Sequence, residues 1–185
     1  MLEELWGPIA ALTAAHEGRA NGLITSTAVT ASLVPEAPRV TVLLARSSLT
    51  HDLVCASGAF ALHLLAAEPP EPSVELFRRL GFHSGRAGSK LDGVAWQPGT
   101  TGAPVLGEAL AFVEARVVER LETREIAVVV GEVVAGGRLR EGGVLTIDAV
   151  RPRLTDADLA AWETRRQEEL RQARDLISSM ARPAQ

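Results

Sequence analysis

Residues 21–65 read NGLITSTAVTASLVPEAPRVTVLLARSSLTHDLVCASGAFALHLL, and this stretch decides the fold. It opens on a strand dense in small hydroxyls, Thr25, Ser26 and Thr27, followed by Thr30 and Ser32. β-Branched residues of this kind suit a pleated, half-covered surface. Pro35 and Pro38 mark a turn, after which Arg39 to Leu44 reads as a buried strand leading into Arg46-Ser47-Ser48-Leu49-Thr50. Ser48 is a good N-cap for a short helix whose apolar side is Leu49, Leu53 and Val54, and Gly58 closes it. Ala59 to Leu65 is then a second apolar strand.

Working outward, the alanine-rich run before this stretch could pass for helix on propensity alone. The turn cluster Glu17 to Gly22, which contains the hairpin dipeptide Asn21-Gly22, argues instead for two strands over about 8–16 and 22–33. Downstream, Ala67 to Pro72 reads as a loop and Ser73 to Leu80 as a helix. Residues 81–102 form a long irregular connection, with Trp96 read as a core side chain. Residues 109–121 and 126–134 pattern as two long strands joined by a turn at 122–125. Gly131 inside the second suggests a bulge or a close backbone approach. Near the C-terminus, Thr155 and Asp158 outline a capping box. Leu159, Trp162, Leu170, Ala173, Ile177 and Met180 share one helical face beyond it. That helix packs on its own chain or lies across a partner subunit; the pattern leaves both open.

The whole is a mainly β, antiparallel chain with peripheral helices, divided as one domain over 1–150 and a C-terminal helical extension over 151–185. At 185 residues it is long enough to bury a substantial core. A net charge of −4 points to neither nucleic acid nor an anionic membrane as partner. Arginine outnumbers lysine 18 to 1, Lys90 being the single lysine. One cysteine, Cys55, excludes an internal disulfide and reads as a small buried apolar residue. The acidic N-terminus is a poor secretory signal and no apolar run is long enough to span a bilayer, so a cytoplasmic protein is expected. His16, His51, His63 and His83 read as surface or packed residues. No His/Asp/Glu cluster has metal-ligand spacing, and no Ser/His/Asp arrangement stands out.

Hydroxyls at neighbouring strand ends, with one arginine, suit a ligand that is polar and anionic at one end. A flavin nucleotide has that form, its ring needing hydrogen bonds along one edge and its phosphate N–H, hydroxyl or guanidinium donors. Ser48 and Thr50 sit at a predicted helix start, where unpaired N–H groups favour a phosphate, and Arg46 adds a full charge.

The order and spacing of these segments, over roughly residues 6–136, resemble the flavin reductase-like family. Thr25, Ser26 and Thr27 match its Thr-Ala-Ser-Ser run, with Thr30 and Ser32 on the serines that follow. Arg46, Ser48 and Thr50 match its basic residue and hydroxyls. Lys90-Leu91-Asp92-Gly93 to Trp96 is similar to its Lys-Phe-x-Gly-x-x-Trp pattern, and Gly102 to Leu106 to its Gly-x-Pro step. The resemblance implies an FMN-binding split barrel, usually a homodimer, that binds FMN or FAD. Its cofactor-binding residues would be Thr25, Ser26, Thr27, Thr30, Arg46, Ser48, Thr50 and Lys90. It further implies an NAD(P)H-dependent oxidoreductase that supplies reduced flavin, in some members to a flavin-dependent monooxygenase. Hydride transfer rests on proximity and orientation, so no catalytic acid or base is assigned. One departure matters: the histidine that helps hold the nicotinamide is Ile126 here. An FMN protein reduced by another donor, or a non-catalytic flavin-binding or storage protein, remains the alternative.

Overall fold

The structure, a computed structural model, describes residues 8–179. The acidic N-terminal residues 1–7 and Met180 lie outside the described residues. Strands β1 (Ala10–His16) and β2 (Arg19–Thr25) form the expected hairpin. Its turn is Glu17-Gly18, with φ of 47° and 76°, the backbone sense of a two-residue hairpin turn. Asn21 and Gly22 lie inside β2, opposite Ala14 and Thr13. The second strand also ends at Thr25, earlier than expected. There Thr27 N donates to Thr25 Oγ1 at 3.1 Å, so a side chain replaces the ladder partner and the chain leaves the sheet.

A two-residue strand β3 (Val29–Thr30) precedes β4 (Arg39–Ala45), α1 (Leu49–Ser57) and β5 (Ala59–Leu65). Ser48 caps α1 by accepting from His51 N at 3.1 Å, and Gly58 ends it in the left-handed region at φ 66°. Helix α2 (Pro70–Gly81) starts three residues before expectation because Pro70 occupies the first turn, where no N–H is needed. The short hairpin β6 (Trp96–Pro98) and β7 (Pro104–Leu106) follows, then the long pair β8 (Ala109–Glu122) and β9 (Ile126–Arg138). A short α3 (Ile147–Val150), a 3-10 turn and α4 (Asp156–Ser179) complete the chain. Trp96 is 38% exposed, because β6 pairs only with β7 and lies outside the main sheet.

The main sheet runs β2-β1-β5-β8-β9-β4-β3, antiparallel throughout. Its two ends approach each other where the Thr27 hydroxyl reaches β4, accepting from Leu43 N at 3.2 Å. Alternate residues of β1 serve two cores: Ala10, Leu12 and Ala14 face Val42, Leu44, Phe60 and Val129, whereas Ala11 faces Val74, Phe77 and Leu80. Burial on both faces is why the alanine run is a strand. In α4, Thr155 and Asp158 make the expected reciprocal cap, with Thr155 N donating to Asp158 Oδ2 at 2.9 Å. Trp162 meets the Phe77 ring edge-on at 5.5 Å, so the first turns of α4 pack on their own chain. Leu170 and Ile177, further along, are each 38% exposed.

Candidate functional site

Of the residues singled out by sequence, Arg46, Ser48 and Thr50 lie at the start of α1, and Thr27 meets β4 three residues before Arg46. Thr25 and Thr27 share a hydrogen bond at 2.8 Å and stand against β4, while the half-buried Ser26 hydroxyl between them has no partner among the described residues. Thr30 lies apart, exposed on the β3 edge opposite Val40.

Arg46 leaves the end of β4 and is met by the β8–β9 turn. Its Nη1 donates to the carbonyls of Thr123 and Arg124 at 2.9 and 3.0 Å, and Nη2 pairs with Glu122 at 3.2 Å. Nε is buried without a partner. Ser48 holds the helix cap. Thr50 is wholly buried and accepts from Asn21 Nδ2 at 2.9 Å, which ties α1 to β2. Across this helix start lies Arg86, donating to Ser47 O at 3.0 Å and to Asp52 at 2.7 Å. Its partners lie more than thirty residues upstream and leave no local signal in the sequence.

Lys90 is not part of this group. Its Nζ donates to Leu80 O at 2.6 Å, at the end of α2. Burial, and then the neighbouring Arg165 charge, lower its pKa to about 8, with Glu169 opposing. It lines a cleft of about 610 Å³ with Arg78, Arg79, His83 and Asp158. A second cleft of about 460 Å³ lies between Ser47 and Arg86 on one side and Arg171, Asp175 and Ser179 of α4 on the other. Neither is lined by Thr25 to Thr27.

Two buried polar residues hold the frame. His63 has no exposed surface; Nδ1 meets Ala11 O and Nε2 meets Leu106 N, each at 3.1 Å. Burial lowers its pKa to about 4. The Glu114 carboxylate accepts from Thr100 N, Thr101 N and the Thr101 hydroxyl at 2.7–3.0 Å. Burial pushes its pKa up, but these hydrogen bonds together outweigh it and the net shift is downward.

A polar cluster that spacing did not reveal lies along α1. His51 Nε2 is 3.4 Å from Cys55 Sγ, and His51 Nδ1 is 3.3 Å from Asp52. Cys55 is half-buried rather than fully buried; burial raises its thiol pKa, against the nearby Arg120.

Comparison with known proteins gives one answer. A family profile described as the flavin reductase like domain matches residues 2–149. The ferric-chelate reductase (NAD(P)H) of Archaeoglobus fulgidus is 33% identical over 136 residues, covering 73% of this chain and 78% of that protein. An FMN-binding protein from Thermus thermophilus, solved with bound 1-cyclohex-2-enone, superposes with a TM-score of 0.64 at 25% identity, over 72% of this chain and 71% of that one. A nitrilotriacetate monooxygenase component B homologue from Mycobacterium thermoresistibile superposes with a TM-score of 0.66 at 24% identity, over 77% and 74%. The chain belongs to the flavin reductase like domain family.

Proposed function

We propose that this chain is an NAD(P)H-dependent flavin reductase that holds FMN or FAD at the start of α1 and works as a homodimer. The observation supporting the reading is a set of unspent donors on the segments that lead to and open this helix. Among the described residues the Ser26 hydroxyl has no partner and Arg46 Nε is buried without one, and the first N–H groups of α1 precede its hydrogen-bonded ladder. These fit a flavin: Thr25 to Thr27 would line the ring edge, and Arg46 with the Leu49 and Thr50 N–H groups would take the phosphate. The flavin, when bound, supplies the hydride-accepting and electron-transferring chemistry. The chain would bind and orient: the Thr27–Leu43 contact would hold the strand ends in place, and the α1 N-terminus would favour the phosphate charge. Thr30 and Lys90 lie outside this group, and we assign them to neither contact.

The nicotinamide side is less well furnished. Ile126 opens β9 opposite Ala45, next to Arg46, and its side chain offers no hydrogen bond. Leaving a cofactor polar group unpaired costs about 1–3 kcal/mol. NAD(P)H therefore reacts with a high KM, and Arg124 on the same turn is the residue placed to compensate. The 33% identity to a ferric-chelate reductase favours a second acceptor, a ferric chelate reduced by the flavin. A partner monooxygenase as consumer of reduced flavin, and a cytoplasmic location, belong to the same reading.

Steady-state oxidation of NADH and NADPH with free FMN, FAD or a ferric chelate as acceptor tests it. The expected result is turnover with a high KM that Ile126→His lowers while kcat is preserved. Absence of turnover with every acceptor, with flavin bound, would exclude the reductase.

A further inference from the structure

The Cys55 cluster is used by nothing above. His51 and Cys55 are four residues apart on α1, which puts both side chains on one helix face. The end of β8 brings Glu122 to the same face from a distant part of the chain. One ligand atom from each of the three, the His51 nitrogen, the Cys55 sulfur and a Glu122 oxygen, lie within 4.8 Å of one another.

We propose that His51 Nε2, Cys55 Sγ and the Glu122 carboxylate form a binding site for a thiophilic divalent cation of the zinc class, with a fourth position open to solvent. The separation of the first pair is that of a tetrahedral edge. Metal–sulfur and metal–nitrogen bonds of about 2.3 and 2.1 Å at the tetrahedral angle place S and N about 3.6 Å apart, and here they are 3.4 Å apart. The Glu122 oxygen needs to close by only about 1 Å to reach the same separation.

An outer shell is also in place. Asp52 faces His51 Nδ1 at 3.3 Å, which fixes the proton on that nitrogen and leaves the Nε2 lone pair directed at Cys55. Arg86 in turn holds the other oxygen of Asp52 at 2.7 Å. A carboxylate behind a ligating histidine is the common second-shell arrangement of zinc sites. His51 is 8% exposed and Cys55 half-buried, so the site is shielded on the helix side, while Glu122 keeps it open at the strand end.

Charge has to be accounted for. Glu122 already pairs with Arg46 at 3.2 Å and Arg120 at 3.1 Å. Arg46 keeps two carbonyl partners if the carboxylate turns away, and the Arg120 side chain is 41% exposed and can turn to water. A dication with one thiolate and one carboxylate is neutral, so it replaces the arginines as the counter-charge. The spacing of carboxylates and histidines in sequence does not show this site, because its third ligand is a cysteine and its second element is remote.

Cobalt(II) is the probe, used on the reduced, full-length, flavin-loaded chain without a histidine tag. Because Cys55 is the single cysteine, a thiolate-to-cobalt charge-transfer band can come only from it. The band is expected to saturate at one cobalt per chain, read as a difference from the flavin spectrum, and to be displaced by Zn²⁺. Cys55→Ser should abolish the band. Glu122→Gln, at an exposed strand end where folding is not at risk, and Asp52→Asn should each weaken binding by roughly 10–100-fold. Absence of a band at saturating cobalt, or a zinc affinity unchanged in Cys55→Ser and Glu122→Gln, would overturn the proposal. Loss of the band in Cys55→Ser leaves the flavin reading untouched, because among the described residues no hydrogen bond joins Cys55 to a residue assigned to the flavin, whereas Glu122 pairs with Arg46 and its variant is therefore read for flavin content as well.

Discussion

His63 shows how a single buried side chain sets the acid limit of this barrel. Leu106 N must donate, so Nε2 carries the lone pair and Nδ1–H donates to Ala11 O; the imidazole is neutral and links β1, β5 and β7. Its pKa is lowered from 6.5 to about 4, so the unfolded chain takes up a proton that the folded one refuses. The stability this represents is complete above about pH 6.5 and is lost as pH falls toward 4. Summed over that window it is about 3 kcal/mol, of which about 2 kcal/mol is gone by pH 5. Glu114 acts in the same direction but lower, since its depressed pKa withdraws stability only as pH falls below the ordinary carboxylate range. Urea unfolding at pH 7 and pH 5 checks the histidine, and equal stability at the two would contradict its neutral burial.

At the scale of elements, the crossing of β9 over the barrel core depends on Gly131. A Cβ there would lie 2.8 Å from Ala115 Cβ and from the Phe60 ring. Gly131→Ala should cost about 1–3 kcal/mol through overpacking. Gly88→Ala, with open space around it and no left-handed backbone, should be near neutral in the same thermal melts. Equal melting temperatures for the two would disprove the close approach. That approach was legible in sequence as a glycine interrupting a strand, as were β4, α1 and β5, because alternation, Ser48 and Gly58 are local signals. The β1–β2 turn was misplaced because Asn21-Gly22 outranks Glu17-Gly18 on turn chemistry, whereas both faces of the strand needed partners. The candidate site was legible only on one side. Its hydroxyls and Arg46 fall within one stretch of sequence, but the carbonyls of Thr123 and Arg124 that clamp Arg46 come from 77 and 78 residues away. Such long-range pairing leaves no periodicity to read.

For the whole molecule, the exposed apolar side chains of the β3–β4 edge point to the assembly state. Val29, Leu33, Val34 and Leu43 are 40% exposed or more, with Leu33 wholly exposed; Val29 and Leu43 lie on β3 and β4, and Leu33 and Val34 on the loop between them. An apolar edge of this kind beside a half-formed slot suits a second copy of the chain as its other wall. Light scattering should give twice the chain mass, and Leu33→Glu with Val34→Glu should give monomers that have lost flavin. A monomeric parent chain with full flavin content would refute the homodimer. The central claim, a flavin on this barrel that takes hydride from a nicotinamide, is tested most directly by anaerobic titration of the flavin-loaded chain with NADH and with NADPH. The account expects the visible flavin absorbance to bleach with at least one of them, saturating only at high concentration. Flavin that stays fully oxidised with both, yet bleaches with dithionite, would contradict it.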